Sequence, residues 1–436
     1  MTNTNCRTLA AILLSAATVL PLAACKPGPP ASLTIADPAA LDRIIDNYVA
    51  AGGFPVLYTR LEDKDGRVIY EHGAINEELI PGMTIDGQTW FRVWSMSKII
   101  TISVALDLVE EGILDLDDPV TQYIPEFAGL EVAVSPDGAD LAIIEDKSTA
   151  CPLQMVQVAE EMTLLDLINH QAGFYYATTG IPCLDEPLAA SNVVKAKNSQ
   201  EFVDALAGLP LIQQPGSHDF YGTNTTVLGI VAERATGKSL KQLVEERVTG
   251  PLQIDDLQYG LPPGVILLPR ISGQDGPLRE AHPGELDIFG PDVPDYELAH
   301  ELYLGGEGML ATTDGYADFL RMLLSRGELN GNRFLEESTI EEITSPHTQL
   351  DNDYGYNGYN LWVNNGKLAD GSQGVGGLWI GGGYEGTHFW IDPEREFVGL
   401  IMSQIFWVPE SGWGRDEVIR EAIYAQLSGG GRLTSK

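Results

Sequence analysis

The run FRVWSMSKIITISVALDLVEEG, residues 91–112, narrows the choice of folds more than any other stretch of this chain. Ile99, Ile100, Ile102, Val104, Ala105, Leu108 and Val109 recur at helical spacing, and Gly112 after Glu110 and Glu111 is a C-terminal stop. The spacing predicts an amphipathic helix over 94–111, with Ser95 in its first turn and Lys98 one turn along on the same face. A hydroxyl and an amine so placed have the geometry of a serine nucleophile with a lysine base. The helix dipole and free NH groups of a first turn would stabilise an alkoxide or a tetrahedral oxyanion at Ser95. Burial among the apolar face, Trp90 and Trp94 would make Lys98 give up its proton more readily, so the expected base is a neutral amine. Ser97 points elsewhere and is read as packing. An S-x-x-K tetrad alone occurs by chance, so the rest of the chain has to supply the context.

The amino terminus stands apart from the fold. LAAILLSAATVLPLAAC is too short, and too interrupted by Pro21, to cross a membrane. Leu22-Ala23-Ala24-Cys25 resembles a bacterial lipobox, which implies a signal peptide over 1–24, a lipid on Cys25 and a proline-bearing tether over 25–36. The expected location is therefore periplasmic or cell-surface, with the lipid as the sole membrane contact. With Cys6 in the leader and Cys25 as anchor, Cys151 and Cys183 remain as the candidate disulfide of an exported protein. A net charge of −36 argues against nucleic acid and anionic headgroups as partners, since both would be repelled. Oligomeric state is not encoded in any feature of the sequence.

VLYTRLEDKDGRVIYEHG predicts two strands around Asp65-Gly66, and THFWIDPEREFVGLIMSQ two more around Asp392-Pro393. Further helices are expected near 164–169, 199–206, 225–235 and 417–427. Strands at both ends and helices between predict an α+β fold: an antiparallel β-sheet flanked by helices, with an inserted, mostly helical lobe. The expected boundaries are 37–92 with 301–436 for the α/β domain and 93–300 for the lobe. Residues 262–294, rich in Gly, Pro and Asp, are read as a long surface loop, and Asp117-Asp118-Pro119 as a turn.

The run from Phe91 continues as ILDLDDPVTQYIPEF, and TLLDLINHQAGF, PGSHDFYGTNTTVLGIVAE, GGEGMLATTDGYADFLRMLLSRGELNG and GGGYEGTHFWIDP follow in order. Together these resemble the serine β-lactamase-like hydrolases, the group of class C β-lactamases, D-alanyl-D-alanine carboxypeptidases and family VIII carboxylesterases. The likeness runs from about residue 40 to the carboxyl end and implies a β-lactamase/transpeptidase-like fold. It also implies that Tyr221, in place of the family's Y-x-N tyrosine, joins Ser95 and Lys98 and relays a proton to the leaving group. Two residues on stands Thr223 rather than Asn, which leaves Asn224 as a substrate contact. The family's K-T-G or H-x-G triplet matches Gly381-Gly382-Gly383, where no cation stands to hold a substrate carboxylate. Bare glycines permit close backbone approach, so the NH of Tyr384 is expected to pair with that of Ser95 as an oxyanion hole. His170 is read as a core histidine, and His388 is left without a role.

No G-x-S-x-G elbow and no H-E-x-x-H occur in the sequence, which sets aside a Ser-His-Asp hydrolase and a zinc hydrolase of those types. The expectation is an exported serine hydrolase acting through an acyl-enzyme on small esters, or on amides or lactams, with no metal or organic cofactor. A β-lactamase or D-alanyl peptidase is the enzymatic alternative. A slowly acylated sensor on the same scaffold is the non-enzymatic one.

Overall fold

Alternation in the two hairpins builds the framework. Strands β1 (Val56–Asp63) and β2 (Val68–Ile75) turn at Asp65-Gly66, and β6 (Thr387–Asp392) and β7 (Phe397–Met402) turn beyond Asp392. The computed structural model describes residues 32–285, 288–289, 294, 296, 301–347 and 354–429. With β3 (Gly355–Asn357), β4 (Trp362–Asn364) and β5 (Trp379–Gly383) these strands form one seven-stranded antiparallel sheet in the order β3-β4-β5-β6-β7-β1-β2. The two ends of the chain meet inside it, where β7 pairs with β1, Phe397 opposite Asp63 and Met402 opposite Tyr58.

Both faces of the sheet are covered, and the period of two sorts the side chains. Leu57, Leu61, Phe397 and Ile401 face helices α1 (Pro38–Ala50) and α5 (Arg415–Gln426), packing with Leu41, Ile45, Ile419 and Ile423. Val56, Tyr58, Val398, Leu400 and Met402 face the other way, toward α4 (Thr313–Leu324) and the main core. Strand β7 is therefore buried along its whole length.

Between β2 and β3 lies the mostly helical part. Its axis is α2 (Ser97–Glu110), which packs against α3 (Asn224–Thr236). The expected amphipathic helix is instead buried on all sides from Ser97 to Leu106, because the lobe closes over the face that was to meet solvent. A three-stranded sheet of Trp90–Arg92, Met309–Thr312 and Leu257–Tyr259 braces its N-terminus, and the Met309 NH donates to Ser97 Oγ at 3.1 Å. Within 262–294 the described backbone is irregular apart from short strands Ile271–Ser272 and Arg279–Glu280. Cys25, the leader and most of the tether lie outside the described residues. Among the described residues no helix is long and apolar enough to cross a membrane.

Cys151 and Cys183 are joined by a disulfide that spans 32 positions of the lobe. Closing a loop of that length restrains the unfolded chain by about 3 to 4 kcal/mol. A double Cys151→Ser, Cys183→Ser variant should lose about that much, read as a lower urea midpoint. An unchanged midpoint would show that the bridge constrains nothing.

Candidate active site

The turn that presents Ser95 is strained. Trp94 stands at φ +45°, a left-handed backbone that a bulky side chain rarely adopts and that costs of order 1–3 kcal/mol. Its fully buried indole is held in place, with the rings of Tyr384 and Tyr296 at 5.4 and 6.4 Å. The next residues form a tight 3-10 turn, Trp94–Met96, and α2 begins only at Ser97. Ser95 thus sits just ahead of the helix rather than inside it, half-buried at the floor of a cleft.

Lys98 lies directly below, with no exposed surface. Its Nζ is 3.4 Å from Ser95 Oγ, 3.0 Å from the Tyr176 hydroxyl, 3.0 Å from the Gly306 carbonyl and 3.2 Å from Glu307 Oε1. The Tyr176 hydroxyl gives its own proton to Glu307 Oε1, so toward Lys98 it can only accept. The Gly306 carbonyl, the Glu307 carboxylate and Tyr176 can only accept from Nζ, which suits an ammonium, while Ser95 Oγ can accept or donate. Burial works against the charge on Lys98, but Tyr221 and Glu307 more than offset it, and its pKa lies above the ordinary lysine value. The expected neutral base is thereby corrected: the sequence showed the apolar wall but not the buried carboxylate behind it.

Tyr221 completes the group. Its ring centroid is 4.8 Å from Lys98 Nζ, and the residue is 48% exposed at the mouth of the cleft. Gly222 fixes the approach, because a Cβ there would lie 2.2 Å from the Phe174 carbonyl oxygen. The His170 ring lies against Tyr221, tilted by 34° with centroids 4.6 Å apart. Burial, helped by the charge of Lys98, pushes the imidazole pKa down to about 3, so His170 is neutral. Asn224 Nδ2 lies 3.2 Å from its Nδ1, which leaves Nε2–H to donate to Asn360 Oδ1 at 3.3 Å. Asn224 is wholly buried in this contact and in bonds to the Phe174 and Phe220 carbonyls. It is not a substrate contact but a brace for the histidine under Tyr221.

The three glycines divide. Gly381 and Gly382 line the cleft, whereas Gly383 lies against the turn before Ser95, where a Cβ would come within 2.3 Å of the Val93 carbonyl oxygen. Gly383 is therefore a spacer rather than a substrate contact, and it lets β5 and Tyr384 close on the serine turn. His388 pairs with Gly382 across the sheet but faces α5, among Asp416, Arg415 and Arg420. Burial there pushes its pKa down to about 4.

The cleft encloses about 280 Å³. Met96, Ile99, Ile380, Phe389 and Trp362 give it apolar walls, Asn357 and Asn360 also line it, and among the described residues that line it there is no lysine, arginine or histidine. Tyr176, Glu307, Asn357, Asn360 and Trp362 were not found by sequence reasoning. Glu307 stands in plain view in GGEGML, but nothing in that string says its carboxylate turns inward. Among the described residues no group of three or more His, Cys, Asp or Glu side chains is placed to hold a metal ion.

A family model described as Beta-lactamase matches residues 41–422. An uncharacterized Mycobacterium tuberculosis protein is 28% identical over 345 residues, covering 74% of this chain and 79% of its own. Esterase EstB of Burkholderia gladioli is 26% identical over 382 residues, covering 83% and 89%. Among solved structures, simvastatin synthase (LovD) of Aspergillus terreus superposes with a TM-score of 0.70 at 21% identity, over 90% of this chain and 99% of that one.

His170 and His388 stay neutral in the fold, while the unfolded chain protonates both below their ordinary value of 6.5. The unfolded state then binds more protons, so stability falls as pH drops from 6.5 toward the folded values. Between pH 6.5 and 5 the loss should be about 1 to 2 kcal/mol per histidine, measured by urea unfolding. A His388→Gln variant should remove its share of the slope; an unchanged slope would mean that this histidine charges freely in the fold.

Proposed function

The chain belongs to the Beta-lactamase family, and from that footing we propose that it is a serine carboxylesterase turning over small neutral esters through an acyl-enzyme. The observation that carries this reading is the meeting of Ser95, Lys98 and Tyr221 at a cleft lined, among the described residues, by no cation. The esterase named among its relatives agrees with it.

In this reading Tyr221 reacts as a phenolate balanced by the Lys98 ammonium. It takes the proton of Ser95 Oγ as that oxygen bonds to the substrate carbonyl carbon, whose π-electrons move onto oxygen. The NH groups of Ser95 and Tyr384 hold the oxyanion, an arrangement supported by the close packing of Gly383 on Val93. Collapse breaks the bond to the leaving alkoxide, which takes the proton from Tyr221. Water entering past the exposed edge of Tyr221 then gives its proton to Tyr221 as it attacks the acyl carbon, and collapse releases the acid and breaks the bond to Ser95 Oγ, which takes that proton back from Tyr221. A β-lactam or D-alanyl peptide brings a carboxylate, and Gly381 and Gly382 offer it no charged partner.

A fluorophosphonate probe should label the wild type and not a Ser95→Ala variant, and Tyr221→Phe should lower kcat/KM by about 10²–10⁴-fold. kcat/KM for a p-nitrophenyl butyrate ester should exceed that for a chromogenic cephalosporin by about 10 to 100-fold, the value of one charge-assisted hydrogen bond. Absent labelling would point to an inert binder, and preference for the cephalosporin would reverse the assignment.

We further propose that the enzyme is exported and anchored through Cys25, on the strength of the lipobox-like tetrad that ends there. Cells making the Cys25→Ser variant should show no incorporation of labelled palmitate into the protein. Equal labelling of variant and wild type would sink the anchor.

A further inference from the structure

Behind the cleft a second polar group is closed off from water. Glu307 has no exposed surface, and each of its oxygens is engaged. Oε1 accepts from Lys98 at 3.2 Å and from Tyr176, and Oε2 accepts from Thr226 Oγ1 at 2.7 Å. Thr226 Oγ1 accepts from the Gly306 NH at 3.0 Å, and the Gly306 carbonyl takes Lys98 at 3.0 Å. The contacts form a ring, Lys98 to Glu307 to Thr226 to Gly306 and back to Lys98. The Glu307 carbonyl accepts from Tyr296 at 2.9 Å, which fixes its backbone as well. Ser95 touches this ring only through Lys98, at 3.4 Å, so the buried carboxylate itself is not needed to hold the serine.

We propose that Glu307 is a positioning residue that keeps the proton shared between Lys98 and Tyr221 on the lysine, so that Tyr221 is left as the acceptor for Ser95. The inference rests on the reading of Ser95, Lys98 and Tyr221 as a hydrolytic site. Two arrangements of one proton compete: ammonium with phenolate, or amine with phenol. The carboxylate lies 3.2 Å from Nζ and favours its charge directly, while the Tyr221 ring centroid stands 4.8 Å from the same nitrogen. Tyr176 stays a phenol and donates to Glu307, since burial and the carboxylate push its pKa well above the ordinary value. Among the described residues, the other titratable groups near the ring are His170, which is neutral, and Tyr259 and Tyr296, both held protonated by burial.

The test is the pH profile of Glu307→Gln, which keeps the shape and removes the charge. With its carboxylate partner gone Lys98 loses its proton sooner, so the alkaline limb of kcat/KM for p-nitrophenyl butyrate should move down by at least about one pH unit. Activity at pH 7 should fall about 10 to 100-fold. A merely structural glutamate would lower activity without moving the limb, and that result would overturn the proposal. A melting comparison needs no activity: Lys98→Met strands a buried carboxylate and should melt below the double variant Lys98→Met, Glu307→Gln. If the double variant melts no higher, the pairing is refuted even where Glu307→Gln fails to fold. A wild type with no esterase activity would sink the hydrolytic reading alone and leave the melting comparison to decide the pair.

Discussion

An ammonium and a carboxylate 3.2 Å apart, both sealed from water, hold the parts of this molecule in register. A buried charge is tolerated only when it is paired and its remaining hydrogen bonds are filled. Satisfying Lys98 and Glu307 therefore requires α2, the start of α3 through Thr226, the segment bearing Tyr176 and the Gly305–Gly308 turn to meet at one place. Thr101 adds to the same junction by donating to the Gly305 carbonyl at 2.7 Å. Whatever the chemistry above it, this knot makes the lobe a rigid support, since loss of either charge leaves the other stranded.

Ser95 is presented on that support by opposing pressures. The left-handed Trp94 would relax if its indole were free, and it is not, because Tyr384 and Tyr296 crowd it. From the sheet side β5 presses in so closely that only glycine fits at position 383. The strain is thus sustained by a sheet buried on both faces and anchored by the pairing of β7 with β1. The hydroxyl is held half-exposed where a relaxed turn would let it swing away.

The fold was legible because its signals are local. The two hairpins, α3 and the C-terminal helix fall within a few residues of where alternation and helical spacing put them. The serine, lysine and tyrosine were legible as a spacing and a resemblance, which give residue type and order along the chain. What the sequence withheld is direction. Asn224 lies three residues past Tyr221, yet helix α3 turns it inward to His170, a fact set by packing rather than by the motif. The charge on Lys98 was misjudged for the same reason: the carboxylate that sets it lies more than two hundred positions away, on a turn whose inward face no local pattern marks. Gly383 was seen as a place for close approach, but what approaches it is Val93 rather than a ligand.

Charge decides the outlook for substrates at two ranges. Far from the cleft, a net charge of −36 repels anions on approach, within the ten or so ångströms over which salt leaves the field felt. Inside it, among the described residues, the cation beside the serine is Lys98, whose charge is already opposed by Glu307 and which also bonds to Gly306 and Tyr176. A substrate carboxylate would lose its hydration and gain no counter-charge, a net cost that grows as the cleft dries. A neutral acyl group meets Met96, Ile99, Ile380 and Phe389, where burial of each methylene is favourable by about 0.8 kcal/mol. With about 280 Å³ to fill, such gains run out after a short chain, so on the proposed reading both charge and volume select small, uncharged acyl groups.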